Sequence, residues 1–142
     1  GQERLLELFS DSWLPVLVPP WNRISNSLAH SLPAVGFEGL STYSARSQAQ
    51  LVDGLVQSNC HVDLIDWRGT RAFAGENTVL EQMTVHLHQR RTGEVDDETT
   101  GLLTHHLIHD DACWHFLERL FELTQSHRGA TWLTVSEVMW NR

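Results

Sequence analysis

Gly101-Leu102-Leu103-Thr104-His105-His106-Leu107-Ile108-His109 is the stretch whose reading decides the fold. Its apolar opening and Thr104 predict a buried strand over 102–107 that delivers two adjacent histidines, with a third just beyond. Asp110 and Asp111 follow, and a helix is expected over 111–126. The stripe of that helix is Cys113, Phe116, Leu117, Leu120, Phe121 and Thr124, spaced at the helical period. Residues just past the carboxyl end of a strand face the active site in α/β architectures. Histidine suits proton transfer or metal binding there, because its unperturbed pKa lies nearest neutrality. Adjacent residues of an extended strand point to opposite sides, so one of His105 and His106 is expected to face a site.

Outward from this stretch, strand and helix patterns alternate. Residues 2–10 read as a short helix. Leu14 to Val18 is an apolar run fitting a buried strand, ended by Pro19-Pro20. Ile24, Leu28 and Leu32 recur every four residues and predict a helix over 24–32, closed by Pro33 and Gly36. Phe37 to Tyr43 is a candidate strand, 44–50 a loop or a short helical turn, and Leu55 to Ile65 another strand containing Asn59, Cys60 and His61. After a loop over 68–75, Thr78-Val79-Leu80-Glu81 matches a capping box. The helix it would open runs to about Arg91, with Val79, Leu80, Met83 and Leu87 on one face. An acidic surface loop is expected over 93–100, and a last short strand over 132–135. Strands separated by helices predict a mainly parallel sheet of about four β/α units. Such a pattern suits either a small open α/β sheet or half of a (β/α) barrel.

A chain of 142 residues is expected to form one domain, spanning 1–142, and is long enough to bury a core. The formal net charge is −8, and every cation is arginine. An acidic domain without a basic run argues against nucleic acid and anionic membrane as partners. Two cysteines make no disulfide framework, and Cys113 falls on an apolar helix face. No apolar stretch is long enough to cross a bilayer, and no signal peptide is visible. The chain opens at Gly1 directly into a helical pattern, which leaves the compartment open.

Three clusters sit at strand ends: Val18-Pro19-Pro20-Trp21-Asn22-Arg23, Asp63-Leu64-Ile65-Asp66-Trp67-Arg68, and Thr104-His105-His106. A tryptophan beside a carboxylate suits a sugar site, since the indole covers the apolar face of a pyranose while the carboxylate accepts hydroxyls. Core packing is the alternative for each tryptophan. A surface ion pair or loop cap is the alternative for Asp63, Asp66 and Arg68.

In this order, the clusters resemble the polysaccharide deacetylase family, the chitin-deacetylase-like carbohydrate esterases. The resemblance spans about residues 14–138 and covers the later part of that family's catalytic domain. Pro19-Pro20-Trp21 sits at its proline-containing third motif, Asp63-x-x-Asp66-Trp67 at its fourth, and Leu103-Thr104-His105 at its fifth. The resemblance implies part of a distorted (β/α) barrel. It implies metal-dependent hydrolysis of N-acetyl groups on a sugar or polysaccharide, with a divalent metal, usually zinc, polarising the carbonyl and activating water. His105 would protonate the leaving amine, with His106 a close second. Asp63 or Asp66 would orient neighbouring charges. Trp67 would line the acetyl pocket, and Trp21 and Arg23 would bind substrate.

The family's metal ligands and base belong to its first two motifs, and no Asp-Asp strand end or His-x-x-x-His helix start precedes residue 14. The arginine that usually precedes the third-motif proline is replaced by Leu17 or Val18. No tight metal site is therefore expected in this chain, and little or no activity alone. A second reading is a non-catalytic carbohydrate-binding or protein-interaction domain. A third is a small metalloprotein drawing ligands from His61, Asp63, His105, His106 and His109. A half barrel would expose sheet edges and apolar helix faces, which suggests self-association.

Overall fold

The computed structural model describes residues 1–140, the side chain of Asp11 excepted. It contains α1 (Gln2–Phe9), β1 (Val16–Leu17), α2 (Asn26–Ser31), β2 (Gly39–Leu40), β3 (Gln50–Val52) and β4 (Leu55–Gln57). It continues with β5 (Val62–Asp63), α3 (Glu76–Thr92), β6 (Leu102–Leu103), α4 (Asp111–Gln125) and α5 (Val135–Trp140). The architecture is mixed α/β with small, mostly parallel sheets, and no closed barrel forms among the described residues. None of the described helices is long and apolar enough to cross a membrane.

β1 pairs parallel with β2, and β2 parallel with β4. A parallel bridge from Tyr43 to Cys60 carries the β2–β4 register onward. β5 then pairs parallel with β6, matching Val62 to Leu102 and Asp63 to Leu103. The segment from Leu55 to Asp63 is thus one line of chain with a break in its middle. It lies beside β2 on one side, and beside first β3 and then β6 on the other. Its break explains why the expected strand over 55–65 splits in two: Asn59 and His61 turn their polar groups into a buried network instead of continuing the ladder.

Gly101 opens β6 because nothing larger fits. A Cβ there would collide with the Asn59 carbonyl and come within 2.9 Å of the Cys60 Cα. The bare backbone lets the Gly101 carbonyl accept from His61 N at 2.8 Å and Val62 N at 3.2 Å.

Two apolar clusters hold the elements together. The first joins Val62 and Leu64 to Val79 of α3 and to Cys113, Phe116, Leu117 and Leu120 of α4. The second joins Ala29 and Leu32 to Leu40 and Leu55. α4 begins at Asp111 as expected, and Asp110 caps it, its carboxylate accepting the Cys113 amide at 2.8 Å. Its other oxygen accepts Phe73 N at 3.2 Å, and these amides hold its carboxyl below the usual carboxylate range.

Several expectations are corrected. The capping box at Thr78–Glu81 does not form: α3 begins two residues before Thr78, after Gly75, whose φ of 90° suits glycine. The inner face of α3 is Val79, Met83 and His86, while Leu80 and Leu87 are exposed, so its phase was misread by about one residue. Phe121 lies at the margin of the α4 stripe and packs against Trp132 instead of entering the core. The Asp53-Gly54 turn builds a β3–β4 hairpin where a loop was expected up to residue 50, with Gly54 at φ 78°. The strand expected over 102–107 stops at Leu103 and turns. The strand expected over 132–135 is irregular chain leading into α5. The acidic loop over 93–100 is not wholly at the surface, because Glu98 is fully buried.

Leu120 is 7% exposed at the centre of the first cluster, whereas Leu123 is 69% exposed on the same helix. Leu120→Ala is expected to cost about 2–5 kcal/mol in a denaturant melt. Leu123→Ala should stay within about 0.5 kcal/mol.

Candidate functional site

The three strand-end clusters converge. A cleft of about 1370 Å³ is lined by Trp21, Asn22 and Arg23 after β1, by Asp63, Asp66, Trp67 and Arg68 at and beyond β5, and by Leu103 and His105 at the end of β6. Parallel pairing makes this possible, because it sends the carboxyl ends of all three strands the same way.

Asp63 is its organising group. His105 Nε2 donates to Asp63 Oδ1 at 3.1 Å, and Trp67 Nε1 donates to Oδ2 at 2.9 Å. The Ile65 amide also donates to Oδ1, at 3.0 Å. The His105 and Trp67 rings meet edge to face with centroids 4.9 Å apart. Behind them, Gln82 of α3 clamps the Asp63 backbone. Its Oε1 accepts the Asp63 amide at 3.0 Å and lies 3.3 Å from the Tyr43 hydroxyl, which itself donates to the His61 carbonyl at 3.2 Å. Burial and the nearby Asp63 push the Tyr43 phenol up, so it stays neutral.

The turn after Leu103 decides between the histidines. His109 Nε2 accepts the His105 amide at 2.9 Å and folds the chain back. Burial, then His105 and His106, hold the His109 imidazole below its ordinary pKa, so it stays the neutral acceptor this bond requires. His105 enters the cleft and His106 lies exposed outside its lining. With Nε2–H committed to Asp63, Nδ1 is the His105 nitrogen left for a ligand. Asp66 has a local task instead. Its carboxylate accepts the amides of Arg68, Gly69 and Thr70 and shapes the loop that carries Trp67 and Arg68. Trp21, Asn22 and Arg71, all lining the cleft, have positive φ of 53°, 54° and 57°. Left-handed backbone at non-glycine positions costs energy and clusters at functional sites.

A second polar centre lies in the interior, outside the cleft lining. Glu98 accepts the Arg46 amide at 3.0 Å, the Asn59 amide at 2.5 Å and His61 Nε2 at 3.0 Å. Burial alone would raise its pKa, but the hydrogen bonds from His61, Arg46 and Asn59 hold it below the usual glutamate range. His61 stacks on His86 with centroids 3.5 Å apart. Burial, then the neighbouring His61, lowers the His86 pKa to about 4. The sequence reading named His61 but missed His86 and Glu98. One looked like a surface helix position and the other like part of an acidic loop.

His61, His86 and Glu98 are the described residues best grouped to hold a metal ion. The hydrogen bonds of His61 oppose it, whereas His86 bonds the Thr100 hydroxyl through Nδ1 at 2.9 Å and its buried Nε2 has no partner among the described residues. The Gly101 amide donates to His61 Nδ1 at 3.0 Å, so the ring proton of neutral His61 sits on Nε2, where it meets Glu98. A metal at Nε2 would need the other tautomer and would set Nδ1–H against the Gly101 N–H. The residues proposed for a small metalloprotein are likewise not gathered: Asp63 and His105 meet in the cleft, while His61 faces Glu98. No protein-family model, no curated protein and no solved structure matches this chain. The site is therefore read from its own geometry.

Two outcomes follow. Titration of the chain with zinc should reveal no stoichiometric sub-micromolar site. Stability should also fall on acidification. Above about pH 6.5 His86 is neutral folded or unfolded. Between that value and about 4 only the unfolded chain takes the proton, so stability drops as pH falls and levels off below, a loss of about 3 kcal/mol. Glu98 acts in the same direction below the ordinary glutamate pKa. Denaturant melts at pH 7 and pH 4.5 should show a smaller difference in His86→Leu than in the parent chain.

Proposed function

We propose that this chain is part of a carbohydrate N-deacetylase, carrying the half of the site that binds the sugar and protonates the leaving amine. The observation that carries this reading is the Asp63–His105 contact at 3.1 Å, in a cleft where all three motif clusters meet. The strand order also supports it. β1, β2, the β4–β5 line and β6 are neighbours in chain order, the arrangement of a barrel segment, whereas a doubly wound sheet reverses its order at a switch point. On this reading the architecture is part of a distorted (β/α) barrel.

The resemblance implies zinc, but the residues present do not fit it. Asp63 and His105 are bonded to each other, and in the interior the His61–Glu98 pair is fixed by hydrogen bonds on both His61 nitrogens, although His86 Nε2 beside it has no partner among the described residues. No step is derived through a metal. In the proposed chemistry, water adds to the acyl carbon, and doubly protonated His105, held by Asp63 through Nε2–H, gives its Nδ1 proton to the amide nitrogen as the C–N bond breaks, so that the acyl group leaves as a carboxylic acid and the second proton of the water passes to solvent. The sugar leaves as a neutral amine instead of an amide anion. Trp67, pinned by Asp63, lines the acyl pocket. Trp21, 88% exposed at the cleft mouth, offers its indole to a pyranose, with Arg23 beside it.

The second reading, a non-catalytic carbohydrate-binding domain, is favoured by the lack of a metal-ligand group in the cleft among the described residues. Turnover separates the two. In the complete protein acting on an N-acetylated oligosaccharide, His105→Ala should lower turnover by about 10²–10⁴-fold. His106→Ala should leave it within about twofold, as its exposed ring lies outside the cleft lining. Wild-type turnover in His105→Ala would sink the acid assignment.

A further inference from the structure

Three arginines line the cleft: Arg23 after β1, and Arg68 and Arg71 in the loop after β5. They stand against the charge of the chain as a whole, which is −8. Ion pairs elsewhere take up Arg4, Arg46, Arg90 and Arg119, but among the described residues none forms at Arg23, Arg68 or Arg71. The two acids of the cleft make their contacts elsewhere. Both Asp63 oxygens are taken by Ile65, Trp67 and His105. Both Asp66 oxygens are taken by backbone amides of its own loop. The backbone spends strain to present one of these cations, since Arg71 has a φ of 57°. All three guanidinium groups are exposed and free to meet a ligand.

We infer that the cleft takes an anionic saccharide, one whose residues carry carboxylate groups, with Arg23, Arg68 and Arg71 as its anion subsite. This rests on the reading of the cleft as a sugar site and adds the charge of the sugar. The planar guanidinium fork matches a carboxylate with two parallel hydrogen bonds, which gives orientation as well as attraction. Arg68 follows Trp67 directly, and Arg23 lies two residues after Trp21. Each indole that would cover a pyranose face thus has a cation close by in the chain to receive that sugar's, or its neighbour's, carboxylate.

The test is calorimetric titration of the chain with two N-acetylglucosamine oligomers of equal length. Hyaluronan hexasaccharide carries a carboxylate on alternate residues, and chitohexaose carries none. Hyaluronan hexasaccharide should bind about tenfold or more tightly, and the preference should shrink as salt rises, since exposed charges are screened. The double variant Arg68→Ala/Arg71→Ala should remove most of that preference while chitohexaose binding stays the same, and Arg23→Ala should weaken hyaluronan binding more than chitohexaose binding. The Arg68 and Arg71 side chains form no ion pair among the described residues, so the double variant should melt with the parent. Equal affinity for both oligomers, weakened by Trp67→Ala, would overturn the anionic inference and leave the sugar reading standing. Poly-glutamate binding as tightly as hyaluronan would overturn it by showing attraction to charge alone. Binding of neither oligomer would overturn this inference and the sugar reading together.

Discussion

A carboxylate with no access to water, that of Glu98, is the constraint on which the rest of this structure depends. It receives N–H groups from Arg46, in the loop after β2, and from Asn59 and His61, in the line between β4 and β5. Arg46 fastens the same loop from the other side through Asp96 and the Gln57 carbonyl. Burying a carboxylate is expensive unless its lone pairs are met, and breaking such a group leaves several donors orphaned at once. The chain between α3 and β6 is therefore locked to the centre of the sheet, and β6 begins at a defined place.

From that place the site follows. Glu98 holds His61, and His61 receives the Gly101 amide on its other nitrogen. Gly101 in turn sets the register of β6 against β5, matching Leu103 to Asp63. Two residues past Leu103, His105 reaches the Asp63 carboxylate. A shift of one residue in this pairing would bring His106 or Thr104 to the cleft instead. The interior network and the cleft also share Tyr43, whose hydroxyl touches the His61 carbonyl and Gln82, and Gln82 clamps Asp63. The buried polar centre thus works as the support of the site, with the Glu98 carboxylate and both His61 nitrogens satisfied inward.

The same division appears in the charges. Inward acids are matched to amides, imidazole and Arg46, whereas the cleft arginines form no ion pair among the described residues. In a protein of net charge −8, the cleft thus gathers three arginines against two aspartates.

The sequence by itself determined the β/α alternation, α4 with its apolar stripe, and the three clusters at the strand ends. Each of these is local: a helical period, or an apolar run with its polar terminus, can be read within a short stretch of chain. It could not choose between His105 and His106, because the strand ends at Leu103, four residues before the expected 107, and a turn held by His109 reorients both rings. It misread the phase of α3, because the helix buries His86, a residue that periodicity counts as polar. It placed Glu98 in a solvated loop for the same reason. Buried polar residues are made affordable only by partners distant in the chain, and those partners exist only once the strands have paired. The tertiary structure alone decided which carboxylates face inward to hold the sheet and which face the cleft, because that choice depends on donors supplied from 37 to 52 residues away.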